Sequence, residues 1–297
     1  MKTSVEKLKS SRIWSFVVIA LIYLIATAIG VWVFAFLSGS HFLVRLFAAD
    51  FAATVFVWLW GVVFSNSSVY DPYWSVAPPL MLTGYALYVG AGSLPVVLLQ
   101  IAVWYWAIRL TGNWACTFPN LNKQDWRYDM YKERFPRLWH IVNFTGINLM
   151  PTIVVFLAMI PGFLLIDMSA ETRFNADIFT WAGFVVCLSA ATLQLVSDTQ
   201  AHRFRREHRG EVCTVGLWGR SRHPNYLGEI LMWWGVYLLF LTVAGDLQSW
   251  SEILLPAAGA LANTCLFLFI SIPMMEKCQM ASKPAYAEYR KTVRMLL

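Results

Sequence analysis

Two stretches in the C-terminal third of the chain carry side chains whose types and spacing suit ligand chemistry. Gln194, Asp198, His202, Arg205 and Arg209 recur every three or four residues, which puts them on one face if the chain is helical there. The second stretch runs Arg222-His223-Pro224-Asn225-Tyr226-Leu227-Gly228-Glu229. Proline fits the first helical turn, where its missing N–H costs nothing. A helix is therefore predicted to start here, with Asn225 and Glu229 four apart on one face. Gly228 leaves room for another group to approach the backbone closely. Guanidinium groups offer paired donors in a fixed fork and suit phosphates. The arginines between the two stretches, with Lys283, Tyr286 and Tyr289 of the tail, point to a pocket for a dinucleotide phosphate ester. Neither G-x-G-x-x-G after a strand nor G-x-x-x-x-G-K-[ST] occurs, so neither soluble nucleotide fold is present.

These residues must be positioned by a membrane protein. The chain has 297 residues, of which 58% are hydrophobic and 13% charged, against about a quarter charged in soluble domains. Apolar runs of roughly 18 residues or more suffice to span a bilayer. Spans are predicted at 14–37, 42–65, 77–91, 95–112, 139–166, 177–196, 226–245 and 252–272, the third short enough to be tilted or half-inserted. The expected fold is all-α, a polytopic transmembrane helix bundle of about seven to eight spans with a cytosol-facing cofactor cavity. It forms one transmembrane domain over residues 1–297, with the motif region at 190–297. Of the 23 basic residues, Lys2, Lys7, Lys9, Arg12 and all others except Arg45 and Arg173 fall on one side of this arrangement. Because basic residues are retained in cytoplasmic loops, both termini are expected on the cytosolic side of a bacterial inner membrane or an endoplasmic reticulum. The first apolar run continues for about 24 residues with no small-residue cleavage site, so it reads as a retained span.

Glu229 leads into Ile230-Leu231-Met232-Trp233-Trp234. A carboxylate entering hydrocarbon costs about 2.5–3.5 kcal/mol on insertion scales and is normally paired or faces a polar cavity. Arg205, Arg222 or a ligand is the expected partner. The polar insert 113–137, with Trp126, Tyr128, Met130, Tyr131 and Phe135, reads as a short interfacial helix on the headgroups. The five cysteines lack any C-x-x-C pair or metal-like spacing, so no metal site is expected.

The motif Arg222 to Glu229, preceded by Ser197-Asp198 and Arg205 and followed by Tyr286-x-x-Tyr289, resembles the membrane-embedded steroid 5-alpha-reductase family, and more closely a mostly uncharacterised branch of it. The resemblance covers roughly residues 190–297. It implies an all-helical bundle holding NADPH and reducing a carbon–carbon double bond conjugated to a ketone. Carried over by motif, Asp198 and Arg205 hold the phosphate and ribose portions, Asn225 and Glu229 the nicotinamide end, and Tyr289 is the tail's contact. Gln194, Arg222, His223, Tyr226 and Lys283 complete the expected cofactor set. The family's catalytic carboxylate falls near Asp71-Pro72, which also reads as a plain turn between spans. Its catalytic tyrosine falls close to Trp106, so Tyr105 or Tyr73 has to substitute.

The implied mechanism moves a hydride to the β-carbon of an enone while Asp71, kept protonated by an apolar setting, and a tyrosine donate hydrogen bonds to the developing enolate oxygen. A rival reading is an S-adenosylmethionine-dependent methyltransferase of the isoprenylcysteine or phospholipid type, which carries a similar Arg-His-Pro-x-Tyr-x-Gly signature. S-adenosylmethionine has no phosphate, and the arginines at 203, 205, 206 and 209 favour NADPH. No inverted repeat supports a transporter. The expected partners are a lipophilic small-molecule substrate and membrane lipids, with no nucleic acid and no obligate protein partner.

Overall fold

A computed structural model describes residues 9–296; Lys2 and Lys7 of the basic N-terminal segment lie outside the described residues. Among the described residues the chain is helical with no strand, apart from an isolated bridge between Ser221 and Arg294. Seven helices among the described residues are long and apolar enough to cross a membrane: α1 (Arg12–Phe36), α2 (Phe42–Phe64), α4 (Leu94–Thr117), α6 (Trp139–Glu171), α7 (Ile178–Glu207), α8 (Pro224–Asp246) and α9 (Trp250–Ser282). The chain is an integral, multi-pass membrane protein. Between α2 and α4 lies α3 (Tyr73–Val89), whose 17 residues reach about 26 Å at the helical rise of ~1.5 Å per residue. That is shorter than a hydrocarbon core of about 30 Å, and it accounts for the weak third span. Two short helices complete the set, α5 (Trp126–Arg134) and α10 (Tyr286–Thr292).

The chain divides into two compact units, Met1–Met81 with Leu110–Phe156 and Leu82–Arg109 with Leu157–Leu297. In the first, an apolar core around Ile22, Val57, Val69 and Leu121 also takes in Tyr23, Tyr70 and Tyr73. Their hydroxyls all find partners, as buried polar groups must. Tyr23 donates to the Val69 carbonyl at 2.6 Å, Tyr73 donates to Asp50 Oδ1 at 2.8 Å, and Tyr70 pairs with Thr152 at 2.7 Å. The Asn66 amide donates to the Leu121 carbonyl at 2.7 Å, so the turn before Asp71 is tied to the loop that leads into α5.

The second unit is organised by the close pairing of α7 with α8. A Cβ on Gly183 would lie 2.6 Å from the Leu239 nitrogen and 2.7 Å from the Gly235 oxygen, and one on Gly235 would lie 3.0 Å from the Cys187 nitrogen. Those neighbours are backbone and cannot rotate away. Gly183→Ala is therefore expected to destabilise the protein by about 1–3 kcal/mol, the usual cost of overpacking. Thermal unfolding in detergent checks this, and an unchanged midpoint would show that the helices part without cost. The α7–α8 pair carries the residues of both motif stretches.

Candidate functional site

Helix α7 continues well past the expected end of its span and stops only at Glu207. Gln194, Asp198, His202 and Arg205 are thus on one helix, whereas Arg209 lies beyond the His208 cap and leaves the expected stripe. Helix α8 starts at Pro224, where the sequence placed it. The loop between them folds back on α7: the Trp218 indole donates to the Ser197 carbonyl at 2.8 Å and the Leu217 amide to Gln200 Oε1 at 2.9 Å. Gly216 is required at this turn, since its φ is +59° and a Cβ there would meet the Gln200 amide at 2.6 Å. The tail closes the arrangement. The Arg222 amide donates to the Arg294 carbonyl at 2.9 Å, and the Tyr289 hydroxyl to the Trp218 carbonyl at 2.6 Å.

These contacts leave a cleft of about 170 Å³. Asp198 and Arg205 of α7 line it, with Arg222, His223, Asn225 and Tyr226 around the start of α8, and Lys283 and Tyr289 of the tail. A wider cavity of about 570 Å³ shares Glu211, Lys283 and Tyr289 with it and extends beside Gly210 and Glu288. Gln194 does not line the cleft. It is buried on the same helix and fills, with the Ala190 carbonyl, the space left by Gly228. What the missing side chain at 228 admits is thus α7 itself.

The cations of the cleft fall into two groups. Arg222 donates to Glu276 Oε1 at 2.7 Å, and His223 Nε2 lies 3.3 Å from the same oxygen. Arg205 donates through Nε to the Ala201 carbonyl at 3.1 Å. Among the described residues, no carboxylate is within ion-pair distance of Arg205 or Lys283. Burial, and then the charge of Arg205, holds the Lys283 ammonium below its ordinary range. Burial also lowers His223, against the opposing pull of Glu276, and it lifts Tyr286 to about 12, so that this phenol stays a donor.

Deeper in the unit, Asp198 ties two helices to α7. Arg109 of α4 donates from Nη1 to Asp198 Oδ2 at 3.0 Å, and Asn225 Nδ2 donates to Oδ1 at 3.3 Å. Glu229 is held by neither Arg205 nor Arg222, the partners expected from sequence. Its carboxylate accepts from the indoles of Trp106 at 2.9 Å and Trp233 at 3.0 Å. The two indole N–H groups supply its hydrogen bonds, Arg109 of α4 adds its charge nearby, and Trp233 comes from the next turn of α8. Sequence reasoning missed Arg109, Trp106, Trp233 and Glu276. The available signal was the spacing of Trp106 and Arg109, three apart on one helix face.

The candidate acid, Asp71, belongs to the first unit. The phenol on it is Tyr128 of α5, which donates to Asp71 Oδ1. The helix read as interfacial therefore reaches a buried acid. Burial raises the Asp71 carboxyl from its ordinary value to about 6, against the opposing hydrogen bonds of Tyr128 and Ser68. Tyr105 pairs instead with Thr192 at 3.1 Å, and Tyr73 is engaged by Asp50.

Residues 57–293 match the family described as protein of unknown function (DUF1295). The chain belongs to the DUF1295 family. The family match takes in every residue of the cleft, the Arg109–Asp198 and Glu229 clusters and the Asp71–Tyr128 pair, while α1 lies outside it. The DUF1295 chain is also similar to the uncharacterized protein C594.04c of Schizosaccharomyces pombe, with 23% identity over 220 residues, 65% of this chain. It spans 63% of the length of that relative. No solved structure matches it.

Proposed function

We propose that this DUF1295 chain is a membrane-embedded reductase that uses NADPH to saturate a carbon–carbon double bond conjugated to a carbonyl in a lipophilic substrate. The observation that carries the reading is the pair of cations, Arg205 and Lys283, that face the cleft with no carboxylate within ion-pair distance among the described residues. Two like charges forced together in a partly desolvated cleft are stabilised by an anion, and phosphate is the anion that suits them. The resemblance of residues 190–297 to the steroid 5-alpha-reductase family supports the same cofactor. The basic residues of the Arg203–Arg222 loop and of the tail support a cleft that opens to the cytosol.

When bound, the dihydronicotinamide supplies a hydride to the β-carbon of the enone. Arg205 and Lys283 bind the phosphates, and Tyr289 and Asn225, held by Trp218 and Asp198, shape the walls of the cleft around the ligand. The family resemblance makes Asp71 the acid of the reaction, and its carboxyl, hydrogen-bonded by Tyr128 and Ser68 within the first unit, is kept partly protonated by burial.

Turnover is read as enone-dependent oxidation of NADPH by the purified protein in detergent. Because burial raises Asp71 to about 6, the acid form dominates below that pH and is lost above it. Turnover is expected to fall about tenfold per pH unit above that value, and Asp71→Asn is expected to bind NADPH normally and turn over poorly. A pH profile flat through this range, or an active Asp71→Asn protein, would reduce Asp71 to a turn residue.

A further inference from the structure

One buried carboxylate collects cations from both sides of the cleft. Glu276 of α9 takes Arg222 at 2.7 Å and His223 at 3.3 Å on Oε1, and Arg290 of α10 at 3.2 Å on Oε2. Arg222 reaches further and donates from Nη1 to the Arg290 carbonyl at 3.1 Å and to the Val293 carbonyl. The start of α8 and the tail are therefore joined through a single acid whose side chain is 7% exposed. A buried carboxylate is tolerated only while its partners stay in place, so each arm of this cluster reinforces the others. The elements it joins carry Tyr286 and Tyr289, which line the cleft together with Cys213.

We infer that Glu276 is a positioning residue that latches the C-terminal tail over the cleft, with Arg222 and His223 consumed in the latch and the anionic groups of the ligand left to Arg205 and Lys283. The latch stands on the ion-pair geometry alone; the division of labour rests on the cofactor reading above. Arg222 has both Nε and Nη1 occupied by protein acceptors, and His223 stacks on Tyr226 with ring centroids 5.3 Å apart. The two basic residues most prominent in the motif thus hold the fold of the cleft. The two that contact the ligand are less prominent in sequence.

Cys213 reports on the latch without any ligand. The test uses the full-length protein in detergent with Cys116→Ser, Cys265→Ser and Cys278→Ser, leaving Cys213 and the fully buried Cys187. In this background, Glu276→Gln is expected to raise the rate of maleimide labelling of Cys213 roughly tenfold, since labelling follows the open population of the tail. Arg290→Ala, made at a side chain 52% exposed, removes one arm only and gives a smaller rise. Both variants weaken NADPH and NADH by the same factor, because they open the cleft and remove no phosphate contact. Unchanged labelling in both variants, each eluting as a monodisperse helical protein, overturns the latch. If labelling rises as expected but the parent protein binds neither dinucleotide, the latch stands and the cofactor reading falls.

Discussion

Arg109→Met lowers the stability of the protein in detergent by about 3–5 kcal/mol, the cost of stripping one partner from a buried ion pair. The thermal midpoint should drop on the order of 10 °C. The Arg109 side chain is 3% exposed and that of Asp198 15%, with their charged atoms 3.0 Å apart. Methionine fills much of the arginine's volume, so little of the effect comes from a cavity. It comes from leaving Asp198 with only the neutral amide of Asn225 in a helix read as crossing the membrane. Adding Asp198→Asn to Arg109→Met is expected to recover part of the loss, because Asp198 is then no longer a buried charge without its cation, while Glu229 still lacks the nearby charge of Arg109. Single and double variants that unfold alike would show that Arg109 contributes packing and no electrostatic support.

Arg205→Ala combined with Lys283→Ala has the opposite signature. Hydrogen bonds to charged groups are worth about 1.5–3 kcal/mol each, so the pair is expected to lose at least about 100-fold in affinity for NADPH. The thermal midpoint should stay where it is or rise slightly. Among the described residues neither cation is in an ion pair, and the Lys283 ammonium is held below its ordinary range by burial and then by the charge of Arg205. Removing both relieves repulsion and strands no carboxylate. A double variant that keeps its affinity would take the phosphate away from these residues. One that unfolds would show that they have carboxylate partners after all.

The legible part of this protein was what the chain writes contiguously. The apolar runs gave the spans, and their boundaries moved mainly where helices outlast the hydrocarbon, as α7 does in reaching Glu207 and α9 in reaching Ser282. The motif from Arg222 to Glu229 was legible because a proline-started helix places its own residues. Partners from other helices were not. Glu229 was assigned Arg205 or Arg222 because a carboxylate in hydrocarbon calls for a partner, yet its hydrogen bonds come from two indoles, one of them 123 residues away, and the cation near it is Arg109. The phenol that hydrogen-bonds Asp71 is Tyr128, which was not anticipated because it comes from an insert whose polar surface hid one buried ring. Arg109 was counted as a loop charge because it ends an apolar run, and only the fold shows that it turns inward to Asp198. In each case the residue type was informative and the contact depended on packing between helices, which spacing along one chain does not record.

A cleft that takes a phosphate-bearing dinucleotide discriminates among NADPH, NADH and S-adenosylmethionine when the purified protein is titrated with the three in parallel in detergent. Saturable binding of NADPH, weaker binding of NADH and none of S-adenosylmethionine is the expected result. Binding of S-adenosylmethionine alone would contradict it and make the chain a methyltransferase.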